Sequence, residues 1–125
     1  MNKLIATVLL LFLSLPVCAE YDNRYAYSGN QILNFCKAYK KGEIERGKEL
    51  YLAGICLGYI NGALSALQQM ELEGFYKPEY CIPHGVTEEQ LALILVQSIE
   101  QNPKFAHIDA ASLLQITLLQ AYPCN

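Results

Sequence analysis

Cys81-Ile82-Pro83-His84 sets a thiol three residues ahead of an imidazole, and His107-Ile108-Asp109 sets an imidazole two residues ahead of a carboxylate. The first pair has C-x-x-H spacing, which suits half a zinc site or a thiol nucleophile with its base. A structural zinc takes four ligands, and His84 and His107 are the only histidines. An attacking thiol must be free and ionised. The second pair fits the start of a helix better than an acid–base couple. No glycine-rich phosphate loop, G-x-S-x-G or H-E-x-x-H occurs. The expectation is no catalytic residue, no metal and no cofactor: a binding protein, not an enzyme.

The state of the thiols follows from the compartment. Met1-Asn2-Lys3 carries one positive charge, Leu4 to Leu15 is an uncharged apolar run, and Val17-Cys18-Ala19 is a small-residue site after Pro16. This reads as a signal peptide over residues 1–19, cleaved after Ala19, and the expected location is the periplasm. The run is short of the about 20 apolar residues that cross a bilayer. Val17 is too bulky to precede a lipidated Cys18. Four cysteines then remain: Cys36, Cys56, Cys81 and Cys124. An even set behind an export signal is a disulfide framework, and a bridged Cys81 can neither attack nor ligate.

Without its first 19 residues the 125-residue chain loses Lys3 and none of its 12 acids, so its net charge moves from −3 to −4. No basic run suits a nucleic acid or an anionic membrane. One domain is expected.

Residues 20–27 are polar and tyrosine-rich, and read as a loose N-terminal arm. Ser28 or Asn30 can cap a helix over 30–40, where Ile32, Phe35, Cys36 and Tyr39 share a face. A charged turn over 40–48 leads into a helix over 48–70. There Gly54, Gly58, Gly62 and Ala66 form a stripe without bulk, which predicts close approach of another helix. Further apolar stripes, Leu52-Ile55-Tyr59 and Leu57-Ile60-Leu64-Leu67, make this helix apolar all round. That places it at the centre of the fold or in a membrane, and Asn61, Ser65 and Cys56 oppose the membrane.

An aromatic loop over 71–80 follows. Thr87 and Gln90 form a capping box that starts a helix at Glu88, which ends before Asn102-Pro103. A last helix runs from Asp109 to Ala121, burying Leu113, Leu114, Ile116 and Leu118. No segment alternates with period two, so the fold class is all-α. The expected form is a small disulfide-stabilised bundle of four helices over 28–125. Its surplus of apolar faces points to a homodimer.

Four cysteines allow three pairings, and sequence does not choose among them. Antiparallel packing of the first two helices favours Cys36 with Cys56, which leaves Cys81 with Cys124.

Cys56-x-Gly58-Tyr59-Ile60-x-Gly62, Cys81-Ile82-Pro83-x-Gly85-Val86-Thr87 with Gln90, Asn102-Pro103 and Tyr122-Pro123-Cys124 stand in a fixed order behind Cys36. Together they resemble the Rap/Tai family of periplasmic immunity proteins of type VI secretion systems, from Cys36 to Cys124. Tyr122-Pro123 stands where the family pattern has Phe-Pro. The resemblance implies a small helical, disulfide-bearing, often dimeric inhibitor. Its partner would be a secreted peptidoglycan amidase injected by sister cells, whose cleft it blocks. Cysteines, glycines and Pro83 look structural, so exposed anchors must make the contact, and tyrosine and arginine are favoured there. The loop with Phe75, Tyr76, Lys77 and Tyr80 is the first candidate, and Lys104, Phe105 and His107 the second. The alternatives are a general periplasmic binding or chaperone-like protein of the envelope, and a small-ligand carrier.

Overall fold

The structure, a computed structural model, describes residues 26–41, 44 and 47–125. The expected signal peptide, most of the expected N-terminal arm and residues 42, 43, 45 and 46 of the expected charged turn lie outside the described residues. Four helices follow in order: α1 (Gly29–Lys41), α2 (Lys48–Leu72), α3 (Glu88–Gln101) and α4 (Ala110–Ala121), with a 3-10 turn over Pro103–Phe105. No strand occurs among the described residues, so the class is all-α.

Side chains start three of the helices. Thr87 and Gln90 close the expected capping box. The Thr87 N–H donates to Gln90 Oε1 at 2.9 Å, and the Gln90 N–H donates to Thr87 Oγ1 at 3.3 Å. Ser28 and Gln31 repeat this reciprocal pair at α1, at 2.9 and 3.4 Å. Asp109 Oδ1 accepts from the Ser112 N–H at 2.8 Å. Each cap satisfies a backbone N–H that a helix start leaves without a partner.

The entry to α1 is fastened to the α3–α4 connection. The Gly29 N–H donates to the Ile108 carbonyl at 2.8 Å and the Asn30 N–H to the Ala106 carbonyl at 2.7 Å. In return the Ala110 N–H donates to the Tyr27 carbonyl at 2.7 Å. This close approach explains Gly29, where a Cβ would lie 2.3 Å from Leu113 Cδ1 and 2.8 Å from the Ala106 carbonyl oxygen. Tyr27, the last residue of the expected arm, packs edge-on against Phe35 with ring centroids 5.0 Å apart. Lys40 and Glu100 pair across the far ends of α1 and α3.

The core corrects one expectation. α3 supplies Leu91, Ala92, Leu95, Val96 and Ile99 to it, whereas α2 buries only Ala53, Cys56 and Ile60. α3, not α2, is the central helix. At 25 residues α2 outruns the 12–14 residues of its neighbours, so they cannot cover it. The helix is long and apolar enough to cross a membrane. Here its buried face packs in the bundle instead. Among the described residues a Cβ at Gly54, Gly58 or Gly62 would meet nothing within 4 Å, so no described helix approaches the small-residue stripe. Ile116 also departs from expectation. It is 44% exposed, while Leu113, Leu114 and Leu118 are buried.

Both disulfides have the favoured pairing. Cys36–Cys56 joins α1 to α2 with Cα atoms 5.1 Å apart, and Cys81–Cys124 joins the α2–α3 loop to the chain end at 5.0 Å. Each contributes about 2–4 kcal/mol by restricting the unfolded chain.

Two substitutions test this packing by thermal melting. Gly29→Ala should destabilise by about 1–3 kcal/mol, because the added methyl meets a backbone carbonyl that cannot swing away. Thr117 in α4 is buried and its hydroxyl has no hydrogen-bond partner among the described residues. Thr117→Val should therefore stabilise the protein by about 1 kcal/mol, since it removes an unpaired polar group at constant shape.

Candidate partner-binding site

The loop between α2 and α3 is tied down at both ends. At its start the N–H groups of Phe75 and Tyr76 donate to the Met70 carbonyl at 2.9 and 3.2 Å, and Gly74 adopts φ 77°. That left-handed turn reverses the chain at the end of α2. At its far end the loop lies antiparallel to the C-terminus. The Cys81 N–H donates to the Tyr122 carbonyl at 2.7 Å, the Cys124 N–H donates to the Glu79 carbonyl at 3.3 Å, and the disulfide lies beside them.

This bracing raises Tyr76, Lys77 and Tyr80 as a ridge between two grooves. Toward α4 a groove of about 320 Å³ ends on Gln115, Ile116 and Leu119. Toward α2 a groove of about 560 Å³ ends on Leu64, Leu67, Gln68 and Glu71, with the Cys81–Cys124 bridge in its wall. Phe75 stands at the loop tip, 78% exposed. Tyr76 and Tyr80 are half-buried, and Tyr80 packs on the core. Burial, then the neighbouring Tyr76 hydroxyl and the Glu71 carboxylate, push the Tyr80 phenol up to about 12.

The second candidate segment is separate. Lys104 lies with its Nζ 4.8 Å from the Phe105 ring centroid, and Phe105 and His107 are exposed. They precede α4, whereas Tyr80 pairs with Pro123 beyond its other end. Twelve helical residues, about 18 Å, separate the two ends. The seven candidate residues therefore form two patches on the molecule.

Ile116 and Leu119, 44% and 41% exposed, extend the first patch beyond the residues expected from sequence. Their helical phase could have revealed them. They lie three apart, off the row that Leu114 and Leu118 make four apart.

The pairs with chemical spacing have other duties. Cys81 is bonded to Cys124, and Asp109 caps α4. The hydrogen bond from the Ser112 N–H holds the Asp109 carboxyl below its ordinary range. Among the described residues no three His, Cys, Asp or Glu side chains converge to hold a metal.

Loop anchors and core residues should separate in mutagenesis. Phe75→Ala should leave the unfolding free energy within about 0.5 kcal/mol of the parent, while Tyr80→Ala should lose about 1–3 kcal/mol. Tyr80 also makes stability depend on pH at the alkaline end. Its folded pKa lies above the unfolded value of 10.0, so its contribution is full below pH 10 and is lost as the pH rises toward 12. A tyrosinate absorbance titration of the parent minus Tyr80→Phe should show one phenol ionising near 12.

The family model for Rap1a immunity proteins matches residues 28–124. The match starts at the Ser28 cap, eight residues before Cys36, and takes in the four described helices and the Cys36–Cys56 and Cys81–Cys124 disulfides. No curated protein and no solved structure matches the chain. With most of its length matched, from the cap of α1 to Cys124, this chain belongs to the Rap1a immunity protein family.

Proposed function

We propose that this protein is a periplasmic immunity protein that binds and blocks a peptidoglycan amidase delivered by type VI secretion, protecting the cell from its sisters. The observation that carries the reading is the aromatic ridge, with Phe75 exposed at the loop tip beside it, on a platform with two disulfides in a chain of the Rap1a family. Phe75 and Tyr76 present rigid apolar area, Lys77 adds a charge, and the two grooves give the partner's rim somewhere to seat. A ridge of this kind suits an enzyme cleft, and filling the cleft stops substrate entry. Disulfides fit an oxidising compartment, in keeping with export by residues 1–19.

The second copy belongs to the same reading. The face of α2 with Gly54, Gly58, Gly62 and Ala66 is exposed and is flanked by exposed Leu50 and Tyr51 at one end and Met70 and Leu72 at the other. Two α2 helices packed antiparallel across this face would put Lys48 of one copy near Glu73 of the other. A homodimer joined there leaves both ridges free.

Gene deletion tests immunity. The mutant should lyse beside its parent on a solid surface, and only protein carrying residues 1–19 should restore it. Equal competition while the secretion system fires would instead favour a general envelope-binding or chaperone-like protein. With the amidase in hand, Phe75→Ala should weaken binding at least about tenfold by calorimetry, with its melting point unchanged. Gly58→Leu should turn a dimer into a monomer in sedimentation velocity without loss of stability, because the position is open and glycine disfavours helix. A parent that sediments as a monomer would remove the dimer from this reading.

A further inference from the structure

The two disulfides differ in what can reach them. Cys36 and Cys56 are each 0% exposed, inside the core between α1 and α2. Cys81 and Cys124 are both exposed residues, and both line the groove that Leu64, Leu67 and Ile82 also border. Thiol–disulfide exchange requires a thiolate to reach a sulfur, so access selects which bond reacts.

What each bond holds also differs. Cys36–Cys56 lies where α1 and α2 cross, and its loss would open the bundle. Cys81–Cys124 holds only the loop end against the chain end. Beside it are two backbone hydrogen bonds, Cys81 N–H to Tyr122 and Cys124 N–H to Glu79, and the short pairing of Tyr80 with Pro123. Helix α4 has already ended at Ala121, and its last turn is closed by the Tyr122 N–H donating to the Leu118 carbonyl at 2.8 Å. Breaking the outer bond therefore frees a loop and a tail while leaving all four helices intact.

We propose that Cys81–Cys124 is a reducible latch on the Tyr76–Tyr80 ridge, and that Cys36–Cys56 is a permanent staple. The reductant is a dithiol, either a small molecule or a C-x-x-C oxidoreductase. Its thiolate attacks one sulfur of this bond, forms a mixed disulfide and expels the other cysteine as a thiolate, which takes up a proton. The second reductant thiol then attacks the mixed disulfide. Two electrons pass to the protein, leaving Cys81 and Cys124 as thiols and the reductant as its own disulfide. The released ridge loses its backing, and each groove beside it loses a wall. This property does not depend on the identity of the protein's partner.

The test is native-state reduction by dithiothreitol, with timed alkylation and peptide mass spectrometry. Cys81 and Cys124 should be labelled at least about tenfold faster than Cys36 and Cys56. The two-thiol form should keep its helical circular dichroism and melt cooperatively. Hydrogen exchange at the Cys81 and Cys124 amides should accelerate at least about tenfold, with the amides of α1 and α3 unchanged. Labelling of all four cysteines together would overturn the proposal. So would a two-thiol form whose Cys81 and Cys124 amides stay protected. The double variant Cys81→Ser, Cys124→Ser should reproduce the exchange pattern of the reduced form. If that variant fails to fold, the bond is a staple and the latch is wrong.

Discussion

The buried Cys36–Cys56 bond is the constraint on which the rest of the molecule leans. α2 is a poor helix to leave unsupported. It carries three glycines at four-residue spacing and has no side-chain cap at its start. It outruns every neighbour and buries little of its own surface. Its attachment is concentrated where Cys56 and Ile60 enter the core beside Ile32 and Cys36 of α1. The covalent bond at that crossing reduces the freedom of the unfolded chain and lets an exposed, glycine-rich helix stay in register with the bundle. The Tyr39 hydroxyl, donating to the Ala53 carbonyl at 3.3 Å, reinforces the same crossing.

From that anchor the architecture divides the labour. α3 fills the centre and α4 closes it, while the Ala106–Ala110 connection binds back onto the start of α1. These parts hold the fold. The elements that face outward are attached to them at few points: the far half of α2, the loop tip at Phe75 and the outer face of α4 at Ile116 and Leu119. Exposed apolar side chains on a rigid base are the usual make-up of a surface that meets another protein, because ordering entropy has already been lost on folding.

Much of the fold could be read from local signals. Caps and breakers act over three or four residues, so Thr87, Gln90, Asp109 and Asn102-Pro103 marked helix ends that the structure reproduces. Of the loop candidates, Tyr76, Lys77 and Tyr80 line the same two grooves, and Phe75 stands exposed next to them in the chain. Lys104, Phe105 and His107 do not join them, because no local pattern states which end of α4 a distant loop will meet. Tyr80 shows the same gap at the scale of one residue. An aromatic side chain in a loop can be an anchor or a lid on the core, and only its neighbours distinguish the two.

By itself the sequence determined the all-α class and the helix boundaries. Each rests on residue type or on spacing along the chain, which the sequence states directly. The tertiary structure alone decided which apolar stripes are buried. The sequence assigned the centre to α2 because every face of it is apolar, yet α3 occupies the centre, because burial depends on the length and number of neighbouring helices. Composition records how much apolar surface a helix carries, and only packing in three dimensions settles how much of it other helices can reach.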